Sequence, residues 1–256
     1  MVEELWRYLL KSARGESLQS VHLDRHGPYG DRRWACVDAD GFVVSAKQPR
    51  RWGRLLQVAA WAEGSDVLVR APGAEAVKAG TAAADAQLSE WLGAAVTLTD
   101  VVPDQPRIRR RFPREPGMRP SWAADSPEDS TSSLVGGQRF VDFAPVHVVT
   151  PADLAALGGA DVRRFRPNLV LSVDPLQPGD LVRLDGGVEL RITLPTPRCA
   201  VPGLEQSELP ASPDLLRAIG SRRTALPGRG RAACVGVYAD VVRPGLVSTG
   251  ERATVG

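Results

Sequence analysis

Residues 34–45 read WACVDADGFVVS, and this stretch decides the fold class. Two β-prone runs flank Asp40-Gly41, and glycine accepts the positive φ that a tight hairpin turn requires. Similar short runs recur at residues 5–10, 20–24, 66–70 and 95–99. Residues 81–92 are instead rich in alanine and leucine and stop at Gly93, as a short helix does. The first hundred residues therefore predict a small β-barrel-like unit with a helix inside or beside it.

The second half of the chain has the same β character. Apolar runs at residues 140–149, 168–173 and 232–242 predict strands, the last of them the final strand, and Asp185-Gly186-Gly187 predicts a hairpin turn between residues 181–184 and 188–194. Thr150 and Ser212 each precede a proline, the pattern of a helix N-cap followed by proline in the first turn. These features predict a second β-rich unit with a few short helices.

Composition narrows the class of protein. The 256 residues include 32 basic and 30 acidic side chains, a net charge of +2 that is too small to indicate a nucleic-acid or membrane-surface partner. No charge-free stretch approaches the roughly 18 apolar residues of a membrane span. The N-terminus, MVEE, is acidic and has no apolar region behind it, unlike a secretory signal. We therefore expect a cytoplasmic protein that binds neither nucleic acid nor membrane.

Residues 101–133 differ from both flanking regions. Prolines at positions 103, 106, 113, 116, 120 and 127 are expected to break any regular element, and a basic run precedes an acidic, serine-rich patch. The favoured interpretation is a solvated linker, in which Arg110→Leu would have almost no effect. The alternative is a lid over an anionic ligand.

The three cysteines, Cys36, Cys199 and Cys234, form no CxxC pair, and the histidines form no HExxH motif, so no zinc site is expected. Cys36 and Cys234 lie in apolar strand runs and are expected to pack in the core. Cys199 stands among three prolines that end a strand, next to Arg198, and a neighbouring guanidinium favours the thiolate. A lone cysteine is more often a buried apolar residue, but these two features point to chemistry at Cys199.

Several cationic and amide side chains could bind an oxyanion. Arg166 and Asn168 flank Pro167, which fixes the backbone, so both project from defined positions at the entrance of a strand. Lys11 and Ser12 follow the first strand, and Arg32 lies in a second basic cluster. Each of these groups, taken alone, is more often solvated.

Taken together, the motifs resemble a known family. Residues 10–15, 30–34 and 43–48 (LKSARG, GDRRW and VVSAKQ) resemble the N-terminal β-barrel that precedes MOSC domains. FRPN at 165–168, Gly179-Asp180, PRC at 197–199 and VGVY at 235–238 resemble the MOSC domain itself, named for the molybdenum cofactor sulfurase C-terminus. The resemblance implies a mainly β fold: an N-terminal β-barrel-like domain (1–100), a Pro/Arg-rich linker (101–133) and a MOSC β-barrel domain (134–256).

The resemblance also implies a molybdopterin-type molybdenum cofactor between the two domains. In the amidoxime-reducing branch, the residue that matches Cys199 is a cysteine whose thiolate, a soft ligand, binds molybdenum. The residue that matches Arg198 borders the metal. The cofactor-binding positions correspond to Lys11, Ser12, Arg32, Arg166, Asn168 and Tyr238. Pyridoxal phosphate binding is a property of full-length sulfurases in this family, which carry a separate domain for it, and the resemblance implies it only at the level of the family.

The expected activity is a molybdenum-dependent reduction of small N-hydroxylated, or related N- or S-oxygenated, substrates. No iron–sulfur or flavin motif is present, so a reductase would need a separate ferredoxin- or cytochrome-like electron donor. The sequence departs from that branch at Phe143-Ala144, which replace a Thr-Ser pair, and at Thr196-Pro197, which precede Arg198. Two alternatives stay open: a sulfur carrier with a persulfide on Cys199, and a non-catalytic module that binds the cofactor.

Overall fold

The protein is built mainly from β-strands, as predicted. The computed structural model describes residues 1–134, 138–173 and 175–256. Before residue 100 these form the strands β1 (Val2–Arg7), β2 (Glu16–Leu18), β3 (Ser20–Asp24), β4 (Gly27–Pro28), β5 (Ala35–Asp38), β6 (Ala59–Glu63), β7 (Asp66–Arg70), β8 (Val77–Lys78) and β9 (Val96–Thr99). The middle of the chain adds β10 (Arg107–Arg111) and β11 (Asp129–Ser133).

The remaining strands are β12 (Val146–Val149), β13 (Leu169–Leu171), β14 (Leu181–Leu184), β15 (Glu189–Pro197), β16 (Arg223–Leu226), β17 (Gly230–Arg243), β18 (Gly245–Ser248) and β19 (Ala253–Val255). The α-helices are α1 (Pro49–Trp52), α2 (Ala82–Leu92), α3 (Pro151–Ala155) and α4 (Pro213–Gly220). In the described residues, no helix has the length and apolar character that crossing a membrane would require.

A nine-stranded sheet dominates the C-terminal half. Its order is β19-β14-β15-β17-β12-β13-β1-β2, with β16 paired to β17. Within the described ranges no pairing joins β19 to β2, so this sheet stays open and does not close into a hydrogen-bonded barrel. Strand β17 is not the last strand, as the sequence suggested, because β18 and β19 follow it.

The two ends of the chain are interlocked. Strands β1 and β2 extend the large sheet through the antiparallel pairing of β1 with β13, and β18 pairs with β3. Val2, Leu5 and Leu23 consequently share one hydrophobic core with Val148 and Leu190. Strands β1 and β3 therefore pack with the C-terminal half, whereas Leu9, Leu10 and Ala13 between them pack with Cys36 and Leu98.

A second core lies between β5, β9 and α2. The predicted turn forms with Gly41 at φ +77°, but residues 42–45 add only a single bridge, Val37 to Val43, because the regular partner of β5 is β9. Helix α2 begins and ends as predicted: the Thr81 side chain caps its N-terminus, and Gly93 at φ +69° ends it.

The prediction that prolines exclude regular structure from residues 101–133 is wrong. Strands β10 and β11 pair antiparallel over five residues each. Pro106 and Pro113 flank β10, and Pro127 precedes β11, so none of them has to donate to the ladder. The strand expected over residues 140–149 is likewise shorter, because it begins only after Pro145.

Candidate functional site

A cavity of about 270 Å³ lies between the N-terminal half, the 107–133 segment and the large sheet. Its volume is near the lower end of the range for small-molecule sites. All eight residues singled out from the sequence line it: Lys11, Ser12, Arg32, Arg166, Asn168, Arg198, Cys199 and Tyr238. The structure thus brings together side chains that are up to 227 positions apart in the sequence.

The cavity wall is strongly cationic. Among the described residues, seven lysine or arginine side chains line it, against the single carboxylate of Asp142: Lys11, Arg32, Lys47, Arg110, Arg166, Arg198 and Arg229. Because the whole chain carries a net charge of only +2, this concentration of positive charge is local. Such a cleft attracts an anionic ligand.

Two lysines share the one carboxylate. Lys11 follows β1 and is buried, and its Nζ donates to Oδ1 of Asp142 at 2.8 Å and to the Phe140 carbonyl at 2.9 Å. Nζ of Lys47 lies 3.2 Å from Oδ2 of Asp142. Burial lowers the pKa of Lys11 to about 8, although Asp142 opposes the shift. Burial alone would raise the pKa of Asp142, but the two lysines hold it well below its usual range.

The guanidinium groups of Arg32 and Arg166 lie over the ring of Tyr8, 5.0 and 4.3 Å from its centroid. Arg32 bonds the buried Asp31, and Arg166 donates to the Ala13 carbonyl. Burial lowers the pKa of Arg166 to about 10, so the group stays charged at neutral pH. Its second terminal nitrogen, Nη2, is buried and has no hydrogen-bond partner among the described residues.

Backbone strain is concentrated at the cavity. Ser12, Arg32 and Arg166 have φ values of 62°, 49° and 56°, in the left-handed region that favours glycine. Within the described part of the chain, only Ser207 joins them as a non-glycine residue with positive φ. Such strain persists where the surrounding structure imposes it, typically at ligand sites.

His147, on β12, is a cavity residue that the sequence reasoning missed. Nε2 lies 3.4 Å from Nη1 of Arg198, and Nδ1 lies 3.4 Å from the Arg166 carbonyl. Burial, and then the charge of Arg198, lower the pKa of His147 well below its usual value, so the ring is neutral. Nε2 then accepts from Arg198, and Nδ1 carries the proton. The available signal was a lone histidine in the apolar run Val146–Val149.

The Asn168 amide is already engaged within the protein. Its Oδ1 accepts from the His147 backbone N–H at 3.1 Å, and its Nδ2 donates to the Trp6 carbonyl at 3.4 Å. Asn168 therefore ties β1 to β12 beneath the cavity. Its predicted contact with a cofactor stays a prediction.

Cys199 is the cavity's thiol. It follows the proline-rich end of β15, is half-buried, and packs against Ala46 and Leu56 of the N-terminal half. Cys36 and Cys234 lie in hydrophobic cores, where burial raises their pKa values to about 12 and about 11. Those two cysteines are therefore thiols at neutral pH, as their apolar surroundings predicted.

The Arg198 guanidinium is oriented by two neighbours. Its Nη2 donates to the Phe165 carbonyl at 2.8 Å, Nη1 faces His147, and the buried Nε has no partner in the described ranges. Tyr238, on β17, stacks on Phe143 with ring centroids 5.3 Å apart. Burial raises the pKa of Tyr238 to about 12, so its hydroxyl remains protonated.

A metal held by protein side chains alone is not supported at this cavity. Among the described residues, no group of three or more His, Cys, Asp or Glu side chains could hold a metal ion. Cys199 can therefore ligate a metal only as one ligand to a group that brings others.

Two family models match the chain. Residues 1–102 match the model described as the MOSC N-terminal beta barrel domain, and residues 138–254 match that of the MOSC domain. Among solved structures, the YUAD protein from Bacillus subtilis is similar, with 15% identity and a TM-score of 0.46 over 99% of this chain and 93% of that one. A comparison with curated proteins finds no match.

Proposed function

Because this chain belongs to the MOSC family, with a MOSC N-terminal domain followed by a MOSC domain, we propose that it binds a molybdenum cofactor and reduces small N-oxygenated or S-oxygenated compounds. The observation that carries the proposal is the cationic cavity in which Cys199 and the seven other predicted residues lie together.

The donor set fits such a cofactor. Its pterin carries an anionic phosphate, and the cavity offers an excess of cations together with donors that have no partner in the described ranges, Nη2 of Arg166 and Nε of Arg198. A thiolate is a soft ligand, which suits molybdenum. The dithiolene of the pterin would supply the further ligands that the described protein residues lack.

Each protein group then has a distinct task. Cys199 would coordinate the metal, while Arg32, Arg166 and Lys11 would hold the anionic part of the cofactor. Asn168 and His147 would act as positioning residues, because Asn168 ties β1 to β12 and His147 contacts the Arg198 guanidinium and the Arg166 carbonyl. When bound, the molybdenum centre would supply the two-electron redox chemistry of the reaction.

The proposed reaction is a reductive N–O or S–O cleavage. An N-hydroxylated substrate takes up two electrons and two protons, its N–O bond breaks, an N–H bond forms, and the oxygen leaves as water. The electrons would come from a separate ferredoxin- or cytochrome-like protein.

The test is metal analysis combined with turnover. The wild type, Cys199→Ala and the core variant Cys234→Ala are purified from a host that makes the molybdenum cofactor. We expect near-stoichiometric molybdenum and reduction of an N-hydroxylated amidine by the wild type and Cys234→Ala, with both lost in Cys199→Ala.

Two other results would contradict the reductase. Absence of molybdenum together with cyanide-labile sulfur on Cys199 would indicate a sulfur carrier. Bound molybdenum without turnover of N-hydroxylated or S-oxygenated substrates would indicate a non-catalytic cofactor-binding module.

A further inference from the structure

Arg110 differs from the other arginines of the 107–133 segment. Three of them bond carboxylates: Arg109 to Asp38 and Asp40, Arg111 to Asp129, and Arg114 to Glu128. Arg107 lies over the Phe42 ring. The Arg110 guanidinium likewise lies over a ring, that of Phe112, 4.4 Å from its centroid, but its Nε is buried, and the side chain has no ion pair or hydrogen bond among the described residues.

The alternation of strand β10 explains this difference. Successive side chains of a strand point to opposite faces, so Ile108 and Arg110 share one face while Arg109 and Arg111 share the other. Ile108 and Arg110 line the cavity, whereas Arg109 and Arg111 meet carboxylates. Arg110 is therefore a cationic group directed to the cavity with its donors unused.

Further donors and two aromatic rings lie near Arg110. Ser132 and Ser133, on the paired strand β11, line the cavity, and Ser132, which pairs with Ile108, shares the face of Arg110. Lys47 also lines the cavity, and its carbonyl accepts from the Arg111 N–H at 2.7 Å. Trp122 and Phe143 also line it and are 43% and 40% exposed. An anionic group could bind the donors while a planar apolar group contacts the rings.

The cavity residues from the 107–133 segment form one wall of the cavity, and their position in the sequence separates this wall from the residues assigned to the cofactor. Arg110, Trp122, Ser132 and Ser133 lie between residues 102 and 138, outside both family matches. The eight residues assigned to the cofactor all lie within the matches. The added wall is therefore suited to a ligand specific to this chain, namely the substrate.

We infer that Arg110, with Ser132, forms an anion subsite for the negatively charged group of an aryl substrate, whose ring contacts Trp122 and Phe143. This inference rests on the proposed function and narrows its substrates to anionic aryl compounds that carry the N–O or S–O bond.

Calorimetric titration with benzoate tests the subsite, and benzamide is the neutral counterpart of benzoate. The proteins compared are the wild type, Arg110→Leu, Arg110→Lys and the control Arg114→Leu, whose arginine is exposed and ion-paired. We expect Arg110→Leu to weaken benzoate binding about tenfold, as loss of a charged hydrogen bond would, and to leave benzamide binding unchanged. Arg110→Lys should restore part of the benzoate affinity, and Arg114→Leu should match the wild type.

Molybdenum content of the same samples separates the possible roles. Unchanged benzoate affinity in Arg110→Leu would overturn the inference, and so would a loss of molybdenum in that variant, which would assign Arg110 to the cofactor. Wild-type protein without molybdenum would contradict the proposed function, while the benzoate affinities would still decide whether the anion subsite exists.

Discussion

Two kinds of residue surround the cavity. Arg110, Arg166 and Arg198 retain buried nitrogens with no partner in the described residues, so they can bind a ligand. The side chains of Asn168 and His147 are already engaged with the protein: His147 contacts Nη1 of Arg198, and Asn168 joins β1 to β12 beneath the cavity. Sequence motifs identified Asn168 but did not separate these roles, because the role depends on partners that are distant in the sequence.

Arg166→Leu should lower cofactor retention. It removes a charge-assisted contact worth about 1.5–3 kcal/mol, so bound molybdenum after purification at equal salt should fall by about tenfold or more. Arg114→Leu is the matched control, because its guanidinium is exposed and paired with Glu128. The linker hypothesis predicts that Arg110→Leu has almost no effect, but this variant cannot be the control because Arg110 lines the cavity. Equal retention in the Arg166 and Arg114 variants would remove Arg166 from the cofactor site.

Gly236→Ala should destabilise the fold. A Cβ there would lie 2.4 Å from the Val148 carbonyl oxygen and 2.8 Å from Nε2 of His147, at φ +73°. Gly228 has a similar φ of +67° and nothing within 4 Å, so Gly228→Ala isolates the backbone cost of about 1–2 kcal/mol. Chemical denaturation should show a further loss of about 1–3 kcal/mol for Gly236→Ala. Equal losses in the two variants would mean that the close packing above His147 is absent in solution.

Anion affinity should depend on pH through Lys11. Since burial lowers the pKa of Lys11 to about 8, the ammonium loses its proton as the pH rises through that value, and the cavity loses a positive charge. Asp142 is ionised throughout, and Lys47 and Arg32 are the other charges acting on Lys11. Sulfate, which keeps its charge, should bind the wild type more weakly at about pH 9 than at about pH 7. The same decrease in Lys11→Met would show that another group titrates.

At the scale of elements, local signals located many of the strands and helices. Residues 20–24 and α2 agree with the sequence because alternation, a threonine cap and a terminal glycine act within a few residues. The density of prolines predicts no regular element in residues 101–133, yet β10 and β11 form there, because the prolines lie outside both strands. The residues that pair between β10 and β11 are also 18 to 26 positions apart in the sequence, a separation that no local pattern encodes.

Two predicted caps should differ in strength. Thr150 forms a capping box with Asp153, whereas Ser212, read from the same motif, makes no side-chain cap hydrogen bond. Thr150→Ala should therefore cost about 1 kcal/mol of unfolding free energy, and Ser212→Ala should stay within about 0.5 kcal/mol of the wild type. Urea denaturation measures both. A larger loss for Ser212→Ala would show that its side chain caps α4 in solution.

At the scale of the whole molecule, the cavity depends on the interlocking of the two halves. Strand β1 extends the large sheet, and this pairing carries Lys11 and Ser12 to the entrance of β13, next to Arg166 and Asn168. The family resemblance predicted that these residues share a site, because it relates residues that are distant in the sequence. Composition did not predict the cationic cavity, because a net charge of +2 does not show that seven cations line one cavity.

The most direct test of the central claim, that this cavity holds a molybdenum cofactor with the Cys199 sulfur on the metal, is X-ray absorption at the molybdenum edge. Wild-type protein and Cys199→Ser should be compared with Cys234→Ser as a control. The account predicts that the Cys199 variant loses a molybdenum–sulfur scatterer and that the Cys234 variant keeps the wild-type spectrum. Identical sulfur scattering in wild type and Cys199→Ser would contradict it.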